Sequence, residues 1–142
     1  WAMSFWPSST PAAARTLVGL DDGTTNERIQ LIQNTNNAHN TLIVDGAATQ
    51  ANIGSGATVP IHNRINAHAT SWTTNSVLSS TNAFLATADT AATMPTVTTL
   101  RLLKATGATT EYLGAMSRFL LFDDIKTQGE LYEIDIALRF SP

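Results

Sequence analysis

Few residues in this chain of 142 could do chemistry, and their spacing decides what that chemistry would be. Glu133-Ile134-Asp135 begins the order Glu-x-Asp-x-x-Glu, in which alternate residues of a strand share a face and two carboxylates flank a glycosidic bond. Leu138 stands where the third acid belongs, so a solvated acidic face outweighs a degenerate glycosidase. No Gly-x-Ser-x-Gly elbow exists from which a hydrolase triad could be built. Gly54-Ser55-Gly56 opens like a dinucleotide fingerprint, but Val59 occupies the last glycine position and no helix pattern follows, which leaves a strand turn. His62 and His68 would share a strand face about 20 Å apart, too far to hold one metal ion, so they and His39 read as turn or surface residues. Asp21, Asp22, Asn26 and Glu27 supply oxygen ligands for calcium, against the plainer reading of a hairpin turn, since no calcium-loop spacing is present. Trp6, Trp72 and Tyr112 are the aromatics that could stack on a sugar ring, although in a sandwich such rings more often plug the interior.

The elements that must position these residues are strands. Charged residues make up 13% of the chain and apolar ones 43%, with Thr, Asn and Ser filling most of the remainder, the vocabulary of sheet surfaces and turns. A net charge of −3 without a basic run excludes the usual nucleic-acid footprint. There is no cysteine and no Asn followed two positions on by Ser or Thr, which removes disulfides and weighs against a glycosylated animal ectodomain. No apolar run approaches the ~20 residues of a membrane span and no signal-peptide order opens the chain, so neither nucleic acid nor membrane insertion is expected.

Taken in order, alternation predicts strands at 1–6, Arg15–Leu20, Arg28–Gln33, Thr41–Val44, Ala48–Ile53, Arg64–Ser71, Val77–Ser80, Phe84–Ala88 and Thr98–Leu103. Turns fall at Asp21-Asp22-Gly23, Asn34–Asn37, Asp45-Gly46, Gly54–Gly56, Asn82-Ala83 and Gly107. The organising stretch is Tyr112–Leu131: the apolar run from Gly114 to Phe122 is dense enough for a strand buried on both sides, crossing the middle of the core. Thr127 then precedes Glu130 by three residues, the spacing of a capping box, so a helix starts there and is read as far as about Asp135. From Leu131 to Phe140 a strand period competes with the helix stripe. The fold class is therefore all-β, an antiparallel two-sheet β-sandwich with one short helix near the C-terminus, in a single domain.

Ser4-Phe5-Trp6, Thr16–Thr24, Val44-Asp45-Gly46, the stretch 82–102 and the closing Gly-x-Met-x-Arg-Phe with Thr-x-x-Glu-Leu carry a resemblance. In that order they resemble the laminin-G-like, concanavalin-type jelly rolls of bacteriophage tail fibres and other virion proteins. Two departures stand out: Asn82-Ala83 replaces the family's Asn-Gly, and the strand that would precede the opening is missing, as expected of a piece of a longer polypeptide. The resemblance implies a non-enzymatic fibre, spike or decoration component on the virion surface, assembled in the host cytoplasm. Its partners would be other virion proteins, further copies of itself in a trimer, and a host-surface glycan. The alternative is a free carbohydrate-binding module of a secreted bacterial protein. No cofactor is implied beyond the calcium question.

Overall fold

The computed structural model describes residues 1–7, 10–54, 64–105, 112 and 114–140. Among them the order is β1 Ala2–Pro7, β2 Arg15–Asp21, β3 Arg28–Gln33, β4 His39–Asp45, β5 Ala48–Gly54, β6 Asn66–Thr73, β7 Ser76–Thr81, β8 Phe84–Leu85, β9 Thr99–Leu102, β10 Gly114–Leu120 and α1 Gln128–Phe140. All pairings are antiparallel and make two five-stranded sheets, β10-β1-β6-β7-β8 and β5-β4-β3-β2-β9. The expected β-sandwich with a helix near the C-terminus is what forms, of the jelly-roll type.

The main core lies between the sheets. Met3 and Phe5 from β1, Leu17 and Val18 from β2, Ile29 and Leu31 from β3 and Ile43 from β4 meet there. A second, smaller core lies outside the first sheet. Ala2, Ala67 and Ala69 present short side chains on which Leu131 and Leu138 of α1 sit, so β1 and β6 are buried on both faces. That requirement selects small residues on one side of each strand and larger ones on the other.

Two-residue reversals join several strands. Gly46 and Ala47 both take positive φ, 58° and 66°, and so do Asn82 and Ala83, 52° and 64°. Positive φ at both central residues is the turn whose twist matches a hairpin. The unusual Asn-Ala pair works because its backbone is held. The Ala83 N–H donates to Asp135 Oδ2, the Asn82 carbonyl accepts from Arg139 Nη1, and Asn82 Oδ1 accepts from the Ala67 N–H.

Four expectations are corrected. The run 114–122 does not cross the interior: β10 is an edge strand paired only with β1, and most of its residues are exposed. A bulge at Ser117 explains the misreading. It sets Phe119 opposite Met3 and Met116 opposite Phe5, so only this pair turns to the core while Leu120 and Leu121 stand outside. The neighbouring interior place, between β10 and β6, belongs to β1. The second correction is at the C-terminus, where α1 continues to Phe140 because the stripe of Leu131, Asp135 and Leu138 is buried against the sheet. The alternation across 131–140 is coincidental. Third, the strand expected at Phe84–Ala88 shortens to Phe84–Leu85, although Asp89 makes an isolated bridge to Val77. Fourth, His39 and His68 are fully buried between the sheets rather than at the surface. They occupy inward positions of β4 and β6, two residues from Thr41 and Thr70. His62, the 55–56 part of the glycine turn and the Gly107 loop lie outside the described residues.

Candidate functional site

α1 packs on β1, β6, β7 and β8 and so closes the outer face of the first sheet. The outer face of the second sheet carries no helix among the described residues. Strand register defines it: Arg101 of β9 lies opposite Gly19, Gly19 opposite Gln30, Gln30 opposite Leu42, and Leu42 opposite Asn52. Side chains of one cross-strand row share a face, so the row reads Arg101, Gly19, Gln30, Leu42, Asn52. The next outward row runs Asp21, Arg28, Val44, and the one on the other side Thr16, Ile32, Asn40.

In the middle row the Gln30 side chain lies over Gly19, its Nε2 3.6 Å from where a Cβ would stand. A Cβ added there would meet Gln30 Cγ at 3.4 Å and Thr16 Cγ2 at 3.6 Å. Gln30 is only 5% exposed, and what remains accessible includes its side-chain amide, which reaches solvent on this face. Beside it Arg101 grips Asp21, Nε to Oδ2 at 2.8 Å and Nη2 to Oδ1 at 3.3 Å. Arg28 sits directly across from Asp21, donates Nη1 to the Thr25 carbonyl and has an unpartnered buried Nε. Burial pulls its guanidinium below its ordinary value. Two arginines against one carboxylate leave this part of the face with one net positive charge. Asn40 Nδ2 donates to Asn52 Oδ1 at 2.8 Å and extends the polar strip to β5. Planar amides and guanidinia beside an apolar floor of Leu42 and Ile32 suit a ligand with hydroxyls, an apolar face and an anionic group.

The residues singled out from sequence are not brought together. Asp21 is buried in its pair with Arg101 and also accepts from the Gly23 N–H at 2.8 Å. Asp22 accepts from the Thr24 N–H and hydroxyl, which hold its carboxyl below the usual range. Glu27 accepts from the Gly46 N–H at 2.8 Å, and the Asn26 carbonyl accepts from the Ala47 N–H. These groups order a hairpin, and among the described residues no three His, Cys, Asp or Glu gather for a metal ion. Of the aromatics, Trp6 is 44% exposed on β1. Trp72 is half-buried and meets Trp1 edge to face with centroids 4.6 Å apart. Tyr112 is buried in the main core, its hydroxyl unpartnered and its pKa pushed up by that burial.

Glu133 and Asp135 sit two apart on a helix, not a strand, and point to different sides: Glu133 is exposed, Asp135 fully buried. They cannot flank a scissile bond. Asp135 instead accepts from Ser80 Oγ at 2.8 Å and from the Ala83 N–H, and burial pushes its pKa up to about 6. Gln30, Gly19 and Arg28 were not recognised from sequence. The one signal was a glycine inside an alternating strand, which marks a close approach.

No protein-family model matches the chain, and no curated protein does. Solved structures do. The chain is similar to the CBM40 carbohydrate-binding module of the Ruminococcus gnavus IT-sialidase, with TM-score 0.76 at 15% identity, over 94% of this chain and 80% of that one. The same module bound to α2,3 sialyllactose matches with TM-score 0.77 over the same shares. Bound to α2,6 sialyllactose it gives 0.71 at 14% identity, again over 94% of this chain and 80% of that one. At such identity the likeness is one of fold.

Proposed function

We propose that the chain is a non-catalytic carbohydrate-binding module that holds an acidic sugar on the outer face of its second sheet. The observation that carries this is the pair of arginines, Arg28 and Arg101, flanking a solvent-facing Gln30 amide that lies over Gly19. Likeness in fold to a module whose structures hold sialyllactose supports it. Arg28 and Arg101 would attract the carboxylate, Gln30 would take ring hydroxyls, and Leu42 would lie under the apolar face of the ring.

Titration calorimetry with sialyllactose and lactose is the test. Sialyllactose is expected to bind and lactose to bind the face at least about tenfold more weakly, since the anion is worth a charge-assisted hydrogen bond. Gln30→Ala and Arg28→Gln should each weaken sialyllactose by about tenfold while keeping the melting temperature. Equal affinity of both variants and the parent would refute the site. The particle-component reading, with its trimer on a virion surface, drew on residues 114–122 lying in the interior, and β10 lies at a sheet edge. Repeated copies of the chain in a particle map would restore it.

A further inference from the structure

We infer that one end of the sandwich carries a second saccharide site, for a neutral pyranose, separate from the open face. Where β6 ends, the segment after β10 crosses it and encloses a cleft of about 160 Å³ lined by Ser71, Trp72, Phe122, Asp123, Asp124 and Lys126, with Trp1 behind. A cavity of about 150 Å³ takes one six-membered ring. The aromatic wall is rigid, because Trp72 is wedged edge to face against Trp1, whose own indole N–H is buried without a partner.

The polar wall is rigid as well. The Lys126 N–H donates to Ser71 Oγ at 2.9 Å, its ammonium is 2.6 Å from Asp124 Oδ2, and it stands 5.1 Å from the Phe122 ring centroid. Asp123, exposed on the rim, makes no hydrogen bond among the described residues. Its carboxylate is an acceptor for sugar hydroxyls.

The charge sets the ligand class. Two carboxylates and one ammonium give the cleft one net negative charge, opposite in sign to the open face. A sugar carboxylate is repelled here, and a cationic ligand would meet the Lys126 ammonium already placed over Phe122. A neutral ring, with an apolar face for the indole and hydroxyl donors for Asp123, fits both walls.

Titration of the whole chain with lactose and with methyl glucoside, followed by NMR, tests this. The Trp72 indole N–H is expected to shift on saturation with at least one of them, and Asp123→Lys to weaken that binding about fivefold. Asp123 is exposed, so this variant folds, whereas Trp72→Ala removes a ring packed on the core and is the less clean probe. Gln30→Ala should leave the Trp72 shift unchanged. Absence of the shift with both sugars, an unaltered affinity in Asp123→Lys, or loss of the shift in Gln30→Ala each overturns the second site. Failure of the open face alone would show as sialyllactose affinity indifferent to Gln30, with the Trp72 response intact.

Discussion

Asp135 joins the helix to the hairpin at Asn82-Ala83 through two hydrogen bonds, to the Ser80 hydroxyl and the Ala83 backbone. Those partners lie more than fifty residues away in the chain, at separations of 55 and 52, so no local pattern could reveal that this acid is buried. Gln30 lies only one hairpin away from Gly19, and what hid it was register: the sequence does not say which residue of β3 stands opposite the glycine of β2. The Asn-Ala turn was legible as a reversal but not as a strained one. Ala83 holds a left-handed φ of 64° and Ala47 one of 66°, a conformation that costs a residue with a Cβ roughly 1 kcal/mol. Ala83→Gly and Ala47→Gly are each expected to stabilise the fold by about 0.5–1 kcal/mol, read as a higher urea midpoint with unchanged slope. A lower midpoint in both would mean that their backbones are not strained.

At the scale of elements, α1 begins as its sequence promises. The Glu130 carboxylate accepts from the Thr127 N–H at 2.8 Å and from its hydroxyl at 2.7 Å, while the Glu130 N–H reaches Thr127 Oγ1 at 3.3 Å. Thr127→Ala should cost about 1 kcal/mol in thermal or urea unfolding, and an unchanged stability would show that tertiary contacts alone hold the first turn. The helix's far end is not legible in the sequence because Tyr132, Ile134, Ile136, Leu138 and Phe140 satisfy period two as neatly as their neighbours satisfy 3.6. The alanines of β1 and β6 decide the matter, since they provide a seat for a helix and none for another strand. Strand β10 failed for the opposite reason. Its apolar density was real, but the bulge at Ser117 divides that density between core and surface.

The whole sandwich carries a pH response through its interior. His68 Nδ1 meets Thr81 Oγ1 at 2.7 Å, and its Nε2 meets Thr70 on the same strand and Thr41 on the facing sheet, while neither nitrogen of His39 has a partner among the described residues. Burial pushes His39 down to about 3, and burial first, then His39, pushes His68 well below its ordinary value. Both therefore contribute stability that is present above the unfolded value of 6.5 and lost as pH falls toward their folded values. Asp135 acts the other way. Its pKa is raised from 3.8 to about 6, so its contribution is present below 3.8 and lost as pH rises through about 6. Between about pH 6 and 4 the two histidines outweigh the one acid, and stability should fall on acidification. Asp135→Asn removes the opposing slope and should steepen that fall by about 1.4 kcal/mol per pH unit. Urea titrations at successive pH values check this, and parallel profiles for the two proteins would contradict it.

The position of β1 also constrains how such a chain can be made. It lies between β6 and β10, pairing Met3 with His68 on one side and with Phe119 on the other. One edge of the strand is therefore met by residues 66–69, and the other stays open until residues 114–120 are present to cover it. The second pairing spans more than a hundred residues of chain, and closure over such a sequence distance is slow.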